Sequence, residues 1–203
     1  RGNMGQYFEN DSSVASKEKF INYEINGVNI SLITDNGVFS KNRVDEGSLI
    51  LLKTLIPLHL SGKILDLGCG YGPIGLTLAM FSPEARVDLA EINTRALALA
   101  KRNAERLNLS QRVNCLQSDI YKSVEGPYDS IVVNPPIRAG KKVTWEMYRG
   151  AKQLLSDGGS LYIVIRKAQG AESASQYIKE VFGNITLLNR KKGYLVYQAS
   201  KES

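Results

Sequence analysis

From residue 63 onward, short apolar segments alternate with segments of helical periodicity, and this alternation constrains the fold more than any other feature of the chain. Strands are predicted at residues 63–67, 86–90, 113–117, 130–133 and 160–166. Helices are predicted at residues 73–81, 94–107, 143–155 and 171–182. Such alternation requires right-handed crossovers, which produce a mostly parallel sheet with helices on both faces. The sequence therefore predicts an α/β domain.

Two closing strands are predicted at residues 185–189 and 194–198. The connection Lys191-Lys192-Gly193 is too short for a crossover helix, so these strands must pair as an antiparallel hairpin. They bring the sheet to seven strands.

A second hairpin is predicted near the N-terminus. Residues 20–25 and 28–34 have strand character and flank Asn26-Gly27, a dipeptide suited to a type I′ turn. A helix then begins near Asp45 and ends at Pro57.

The chain has 203 residues, which suits one domain with an N-terminal extension. Residues 1–3, which precede Met4, are interpreted as an expression remnant. Residues 4–45 are assigned to an N-terminal arm and hairpin, and residues 46–203 to the main domain. No secretory signal and no transmembrane helix are expected.

Charge and cysteine content indicate the kind of partner and compartment. The formal net charge of +6 favours an anionic macromolecule as partner. Cys69 and Cys115 are the two cysteines, and reduced thiols in a cytoplasmic protein are expected. His59 is the single histidine, so neither a zinc site nor a Ser-His-Asp triad is expected, and no metal is predicted.

The segment from Asp66 to Gly72, DLGCGYG, directly follows the first strand of the alternating region. A doubly wound sheet binds its ligand at the carboxyl ends of its strands, and glycines let the backbone approach that ligand. The dinucleotide-binding fingerprint G-x-G-x-x-G fits the sequence only if it begins at Gly70 and ends at Gly75. If it began at Gly68, Pro73 would stand where the third glycine is required. A carboxylate at Asp66 would repel a pyrophosphate, whereas it suits a ligand with an ammonium group.

This segment resembles motif I of class I S-adenosylmethionine-dependent methyltransferases, which have a Rossmann-like fold. The resemblance implies that S-adenosyl-L-methionine is the cofactor. It implies that Glu91 binds the ribose hydroxyls, that Asp119 faces the adenine amino group, and that Ile92 and Ile120 sandwich the ring. The implied cofactor-binding residues are Asp66, Gly68, Cys69, Gly70, Gly72, Glu91, Ile92, Asp119, Ile120 and Asn134.

The fourth strand of the alternating region leads into Asn134, Pro135, Pro136 and Ile137. This tetrad resembles the signature of methyltransferases that act on amine nitrogens conjugated to a planar π-system. Such nitrogens are poor nucleophiles. The Asn134 side-chain oxygen and the Pro135 carbonyl can each accept one N–H and stabilise the charge that develops during transfer. The tetrad is therefore the predicted catalytic loop.

From about Tyr7 onward, the chain resembles the single-domain form of the small-subunit ribosomal RNA guanine-N2 methyltransferase C-like family. Besides the tetrad, a second stretch matches this family: residues 37–48, which include Phe39, Arg43 and Ser48. The resemblance implies that this stretch closes the pocket, that Phe39 covers the target base, and that Arg43 lies in the substrate site. It implies ribosomal RNA or a ribosomal subunit as the partner.

The fourth position of the tetrad differs from the pattern in related methyltransferases. Adenine-N6 enzymes and many guanine-N2 enzymes have an aromatic residue where this chain has Ile137, so the apolar face for the base must come from Ile137, Phe39 or Trp145. Adenine N6, a protein glutamine amide and a small-molecule amine stay open as alternative acceptors. An NAD(P)-dependent oxidoreductase and a non-catalytic RNA-binding module are the competing classes.

Basic residues follow the tetrad immediately. Arg138, Lys141 and Lys142 are placed for phosphate contacts at the mouth of the site. Arg166-Lys167 ends the fifth strand at the same sheet edge. The sequence leaves the oligomeric state open.

Overall fold

A computed structural model describes residues 15–36 and 44–203 of the chain. The strands are β1 Lys19–Ile25, β2 Val28–Thr34, β3 Lys63–Leu67, β4 Arg86–Glu91, β5 Val113–Gln117, β6 Tyr128–Val133, β7 Leu155–Arg166, β8 Thr186–Lys191 and β9 Tyr194–Ser200. The helices are α1 Glu46–Leu55, α2 Pro73–Phe81, α3 Thr94–Arg106, α4 Lys141–Leu154 and α5 Ala171–Phe182. No helix in this described part of the chain is long and apolar enough to cross a bilayer.

Seven strands form one mixed sheet in the order β5-β4-β3-β6-β7-β9-β8. The five strands from β5 to β7 in this order are parallel. Strand β9 runs antiparallel to both of its neighbours, β7 and β8. The predicted seven-stranded sheet with an antiparallel C-terminal hairpin is therefore confirmed, as is the separate N-terminal hairpin of β1 and β2.

Several predicted boundaries were wrong by two residues or more, and those of β7 and α4 bear most on the site. Strand β7 begins at Leu155 rather than at residue 160, because Tyr128 of β6 pairs with Leu155 across a bulge before the regular ladder starts. Helix α4 begins at Lys141 rather than at residue 143, because Gly140 has a φ of +88° and separates the helix from the turn before it. Lys141 and Lys142 therefore lie in the first turn of α4, whereas Arg138 lies in the turn before it.

The sheet has a hydrophobic core on each face. Successive strand residues alternate between the two cores, as Ile64 and Leu65 of β3 do. Helices α1, α2 and α3 cover one face together with the N-terminal hairpin, and α4 and α5 cover the other. The layered arrangement leaves the carboxyl edge of the parallel strands open for a site.

Asn103 of α3 joins the N-terminal hairpin to the main domain. Its side chain is fully buried. The Asn103 Oδ1 accepts the N–H of Ile33 at 2.7 Å, and its Nδ2 donates to the carbonyls of Ile33 at 3.0 Å and Tyr71 at 2.9 Å. Because Tyr71 belongs to the glycine-rich segment, one amide side chain holds strand β2 and that segment together.

Replacing Asn103 with leucine is expected to lower the free energy of unfolding by about 3 kcal/mol or more, because it removes three buried hydrogen bonds to the backbone of Ile33 and Tyr71. Urea denaturation measures the change. The matched control is Asn114→Leu on the exposed face of β5, where the same substitution should change stability by less than about 0.5 kcal/mol. Equal losses in the two variants would contradict this reading of Asn103.

Candidate active site

The glycine-rich segment turns sharply at the end of β3. The N–H groups of Gly68 and Cys69 both donate to the carbonyl of Ala90, at 2.8 and 3.0 Å, which ties the segment to the end of β4. Gly68 and Gly70 adopt φ values of +73° and +58°. No atom lies within 4 Å of where a Cβ would stand on either glycine. The missing side chains therefore leave open space above the loop.

That space is a cavity of about 320 Å³ at the carboxyl edge of the sheet. Its walls come from the ends of β3, β4, β6 and β7, the start of β9 and the N-terminal turns of α1 and α2. The lining residues are Asp45, Ser48, Gly68, Cys69, Gly70, Tyr71, Pro73, Ile74, Glu91, Asn134, Pro135, Pro136, Ile137, Arg138, Val164, Ile165, Arg166, Gln169 and Tyr194. The glycine-rich segment and the predicted catalytic tetrad thus share one cavity.

Glu91, at the end of β4, presents a carboxylate to the cavity. Its Oε1 accepts the N–H of Gly70 and its Oε2 accepts the N–H of Asn93, both at 2.9 Å. Burial raises the pKa of Glu91, while the two N–H groups oppose that rise. A carboxylate held in this way can accept hydrogen bonds from ligand hydroxyls, as predicted for the ribose.

Asp66 lies below the loop rather than in the cavity wall. The Asp66 side chain is 1% exposed, and its Oδ2 accepts the N–H of Gly75 at 2.8 Å. The sequence interpretation paired this carboxylate with a ligand ammonium, whereas its hydrogen bond in the structure goes to helix α2. The pKa of Asp66 is raised to about 7, mainly by burial and further by the charge of Glu91, while the hydrogen bond from the Gly75 N–H opposes the rise. Asp66 can therefore act on a bound cation through its charge.

Cofactor affinity should depend on pH through Asp66. A bound cation favours the ionised carboxyl, so binding releases a proton wherever free Asp66 is protonated, and affinity falls as pH falls below the pKa. From pH 8 to pH 6, across the pKa of about 7, the affinity for S-adenosylmethionine should fall about tenfold. Calorimetric titration across this range measures the trend. This pH dependence of the affinity should disappear in the Asp66→Asn variant. It should persist in the control variant Asp129→Asn, because Asp129 lies at the opposite edge of the sheet.

Asn134 stands at the end of β6 with a defined amide orientation. The Asn134 Nδ2 donates to Asp45 Oδ2 at 2.9 Å and to Ser48 Oγ at 3.0 Å. Both partners belong to the start of helix α1. Because the nitrogen is occupied on that side, the Asn134 Oδ1 is the amide atom that remains for a ligand in the cavity.

The other predicted residues divide between the cavity and its surroundings. Pro135, Pro136, Ile137 and Arg138 line the cavity. Cys69 also lines it, and burial raises the pKa of its thiol well above the ordinary value, so this thiol stays protonated and is no nucleophile.

Besides Asp66, four residues predicted to bind the cofactor are not among the residues that line the cavity: Gly72, Ile92, Asp119 and Ile120. Gly72 packs instead against Leu76 of α2. The Asp119 carboxylate forms an ion pair with Lys122 at 2.9 Å. The contacts predicted for Ile92, Asp119 and Ile120 with an adenine ring stay predictions.

The substrate residues predicted from sequence also divide. Lys141 and Lys142 are exposed in the first turn of α4 and do not line the cavity. Trp145 stacks on Tyr177 at 4.8 Å between ring centroids and is not among the residues that line the cavity, so the alternative in which it supplies an apolar face for the base stays a prediction. Phe39 and Arg43 lie outside the described residues.

Sequence reasoning missed Tyr194 as a cavity residue. Tyr194 begins β9, and it reaches the carboxyl edge of the sheet because β9 runs opposite to β7, so that Tyr194 pairs with Arg166. The predicted antiparallel hairpin contained this signal. Asp45 and Ser48 also line the cavity. Both belong to the stretch that the resemblance places over the pocket, but neither side chain was assigned a role of its own from the sequence. Among residues 15–36 and 44–203, no cluster of three or more His, Cys, Asp or Glu side chains could hold a metal ion.

A sequence model of the methyltransferase small domain matches residues 29–198, which is most of the chain. The chain belongs to the methyltransferase small domain family. The matched region includes the glycine-rich segment, Glu91 and the tetrad, which meet at the cavity, so the cavity is the candidate active site of this methyltransferase domain.

Relatives of this methyltransferase small domain protein agree with that assignment. It is 38% identical to the Bacillus subtilis protein YbxB over 96% of this chain and 98% of that protein. It is 37% identical to ribosomal RNA small subunit methyltransferase C of Erwinia tasmaniensis over 81% of this chain and 48% of that protein. The chain therefore spans about half the length of the curated ribosomal RNA methyltransferases that it matches.

Solved structures show the same fold. The Thermus thermophilus 16S rRNA N2 methyltransferase RsmC, in complex with AdoMet and guanosine, superposes with a TM-score of 0.82 at 28% identity. The alignment covers 91% of this chain and 51% of that one. A Pyrococcus furiosus methyltransferase superposes with a TM-score of 0.68 at 20% identity, covering 77% and 83% of the two chains, which shows the shared fold.

The cofactor of this methyltransferase domain is S-adenosyl-L-methionine, and the cavity fits it. The bare backbone at Gly68 and Gly70 leaves room for the ligand, and the Glu91 carboxylate faces the same space. When bound, the cofactor supplies an electrophilic methyl group. Gly68, Gly70 and Glu91 are the residues that would hold it, and Asn134 and the Pro135 carbonyl would offer acceptors to the substrate.

Proposed function

We propose that this domain transfers a methyl group from S-adenosylmethionine to the N2 amine of a guanine in small-subunit ribosomal RNA. The observation that carries the proposal is the amide of Asn134, whose nitrogen is bonded to Asp45 and Ser48 and whose oxygen is left for an N–H in the cofactor cavity. This activity places the enzyme in the cytoplasm, where ribosomal subunits are present.

The acceptor chemistry supports an exocyclic amine. Its nitrogen is weakly nucleophilic because the lone pair is delocalised into the ring. An acceptor at Asn134 Oδ1 and a second at the Pro135 carbonyl would hold the two N–H groups and favour pyramidalisation as the N–C bond forms. The methylated amine then loses one proton to water, so no strong general base is needed.

The relatives support guanine in ribosomal RNA. The Erwinia tasmaniensis relative is a ribosomal RNA small subunit methyltransferase C, and the Thermus thermophilus structure contains guanosine beside AdoMet. The adenine-N6 alternative receives less support, since the aromatic residue typical of those enzymes is Ile137 here.

The cavity wall supports a planar base with an attached phosphate backbone. Ile137 and Tyr194 supply apolar surface, and Arg138 and Arg166 stand at the same wall. The Arg166 guanidinium lies 5.5 Å from the centre of the Tyr194 ring. With a net charge of +6, the protein is suited to an anionic polymer, and Lys141 and Lys142 extend the basic surface beyond the cavity.

A methyl-transfer assay tests the proposal. The protein is incubated with tritiated S-adenosylmethionine in three separate reactions. Their methyl acceptors are undermethylated 30S subunits, deproteinised 16S RNA and total ribosomal protein. RNA products are digested to nucleosides and analysed by mass spectrometry. The expected product is N2-methylguanosine. N6-methyladenosine as the product, or label confined to protein, would replace this acceptor with one of the alternatives.

A further inference from the structure

We propose that Asp45 and Ser48 are positioning residues that set the orientation of the Asn134 amide, so that its oxygen and not its nitrogen faces the acceptor amine. The inference rests on the proposed function, because it explains how the amine-binding acceptor is prepared. Asp45 and Ser48 bind the Asn134 Nδ2 at 2.9 and 3.0 Å from the first turn of helix α1.

The partner chemistry decides which end of the amide points where. A carboxylate can only accept hydrogen bonds, so the atom of Asn134 next to Asp45 Oδ2 must be the NH₂ nitrogen. A flipped amide would bring two oxygens together at Asp45 and present N–H groups to an amine that also carries N–H groups. The terminal torsion of asparagine is broad and two-fold, and its own rotamer preference does not exclude the flipped state. Asp45 excludes it.

Asp45 is itself held in place. Its Oδ2 also accepts the N–H of Ser48 at 3.2 Å, which caps the start of α1. Gly47 lets this helix turn approach the cavity wall, since a Cβ there would stand 2.9 Å from Tyr194 Cε1 and 3.0 Å from Asp45 Oδ2. The acceptor pair is therefore part of a tightly packed turn beside the catalytic loop.

The first experiment measures the turnover of two variants. Ser48→Ala removes one acceptor. Asp45→Ser retains a helix-capping side chain but is too short to reach Asn134. We expect kcat to fall about tenfold in Ser48→Ala and about 50-fold in Asp45→Ser, the range for losing a neutral and a charged hydrogen bond at a reacting group. The Kd for S-adenosylmethionine should stay within about twofold, because neither side chain orients the cofactor.

A double-mutant cycle separates positioning from general damage. In the Asn134→Ala background no amide remains to be oriented, so adding Ser48→Ala or Asp45→Ser should reduce single-turnover rates by less than about twofold. The matched control is Ser175→Ala in the first turn of α5, where the hydroxyl only donates to the Glu172 carbonyl. Full additivity of the losses at residues 45, 48 and 134 would overturn the proposal.

A reciprocal exchange tests the donor and acceptor roles. Asn134→Asp places two carboxylates together and should lose activity. Adding Asp45→Asn restores a donor opposite an acceptor and leaves one oxygen of the carboxylate introduced at position 134 facing the cavity. The activity of this double variant should be at least about tenfold higher than that of Asn134→Asp alone. An exchange variant no more active than Asn134→Asp alone would contradict the assigned roles.

Nuclear magnetic resonance gives a readout that needs no RNA. The Asn134 Nδ2 protons of ¹⁵N-labelled protein, assigned by their absence in Asn134→Ala, should exchange slowly with water and lose that protection in Asp45→Ser. Rapid exchange in the wild-type protein would overturn the proposal even where RNA methylation is observed. Slow exchange without methylation of any RNA would instead count against the proposed function.

Discussion

Asn134→Ala is expected to reduce methyl transfer at saturating S-adenosylmethionine about 100- to 1000-fold, the loss typical of removing one preorganised polar group from a transition state. The reason is that the Asn134 oxygen would meet an N–H whose acidity rises as the nitrogen becomes cationic. The interaction therefore strengthens during the reaction, and its removal lowers kcat rather than the affinity for the ground state.

Rapid-quench single-turnover measurements with saturating S-adenosylmethionine isolate this effect from product release. Calorimetric titration gives the cofactor Kd of the same preparation, and thermal unfolding confirms the fold. A variant that retains more than about a tenth of the wild-type rate would remove Asn134 from the catalytic role assigned to it.

Gly70→Leu is expected to weaken S-adenosylmethionine binding at least about 100-fold, which corresponds to about 2.8 kcal/mol. The Gly70 Cβ position is open and the residue lines the cavity, so a leucine side chain there would fill space that the cofactor needs. The positive φ of +58° adds backbone strain to any side chain at this position.

Gly183→Leu separates these two effects. Gly183 ends helix α5 with a φ of +80° and has no atom within 4 Å of its Cβ position, but it lies outside the cavity lining. Both variants should lose about 1–2 kcal/mol of stability from the left-handed backbone. Only Gly70→Leu should lose cofactor affinity. Comparable affinities for the two variants would mean that the cavity above Gly70 is not the cofactor site.

Much of the fold follows from local sequence. The alternation of apolar segments predicts the parallel sheet, and the short Lys191-Lys192-Gly193 connection requires the antiparallel closing pair. The bounds of β7 and α4 were not predictable, because they depend on pairing with β6 and on the backbone of Gly140. Such features arise from contacts between segments rather than from periodicity within one.

The site residues were predictable from the sequence where a motif directly follows the end of a predicted strand. Gly68, Gly70, Glu91 and the tetrad beginning at Asn134 all meet in one cavity, as their positions after parallel strands indicate. The position of Asp66 was not predictable, because its hydrogen bond to Gly75 depends on how helix α2 packs over the loop.

Asp45 illustrates what spacing alone could not provide. A helix-capping aspartate is readable in sequence, but its second hydrogen bond crosses 89 positions of the chain to Asn134. Tyr194 is similar, since only the register of β9 against β7 brings it to the cavity wall. Long-range partners of this kind carry no local signature.

The place of β9 in the sheet has a consequence for synthesis. Strand β9 follows β7 and β8 in the sequence, yet it lies between them in the sheet and carries Tyr194 into the cavity wall. Until residues 194–200 leave the ribosome, β7 has an unpaired edge and the cofactor pocket lacks one side. A nascent chain of this protein therefore cannot complete the cofactor pocket before β9 has been translated and has paired with β7.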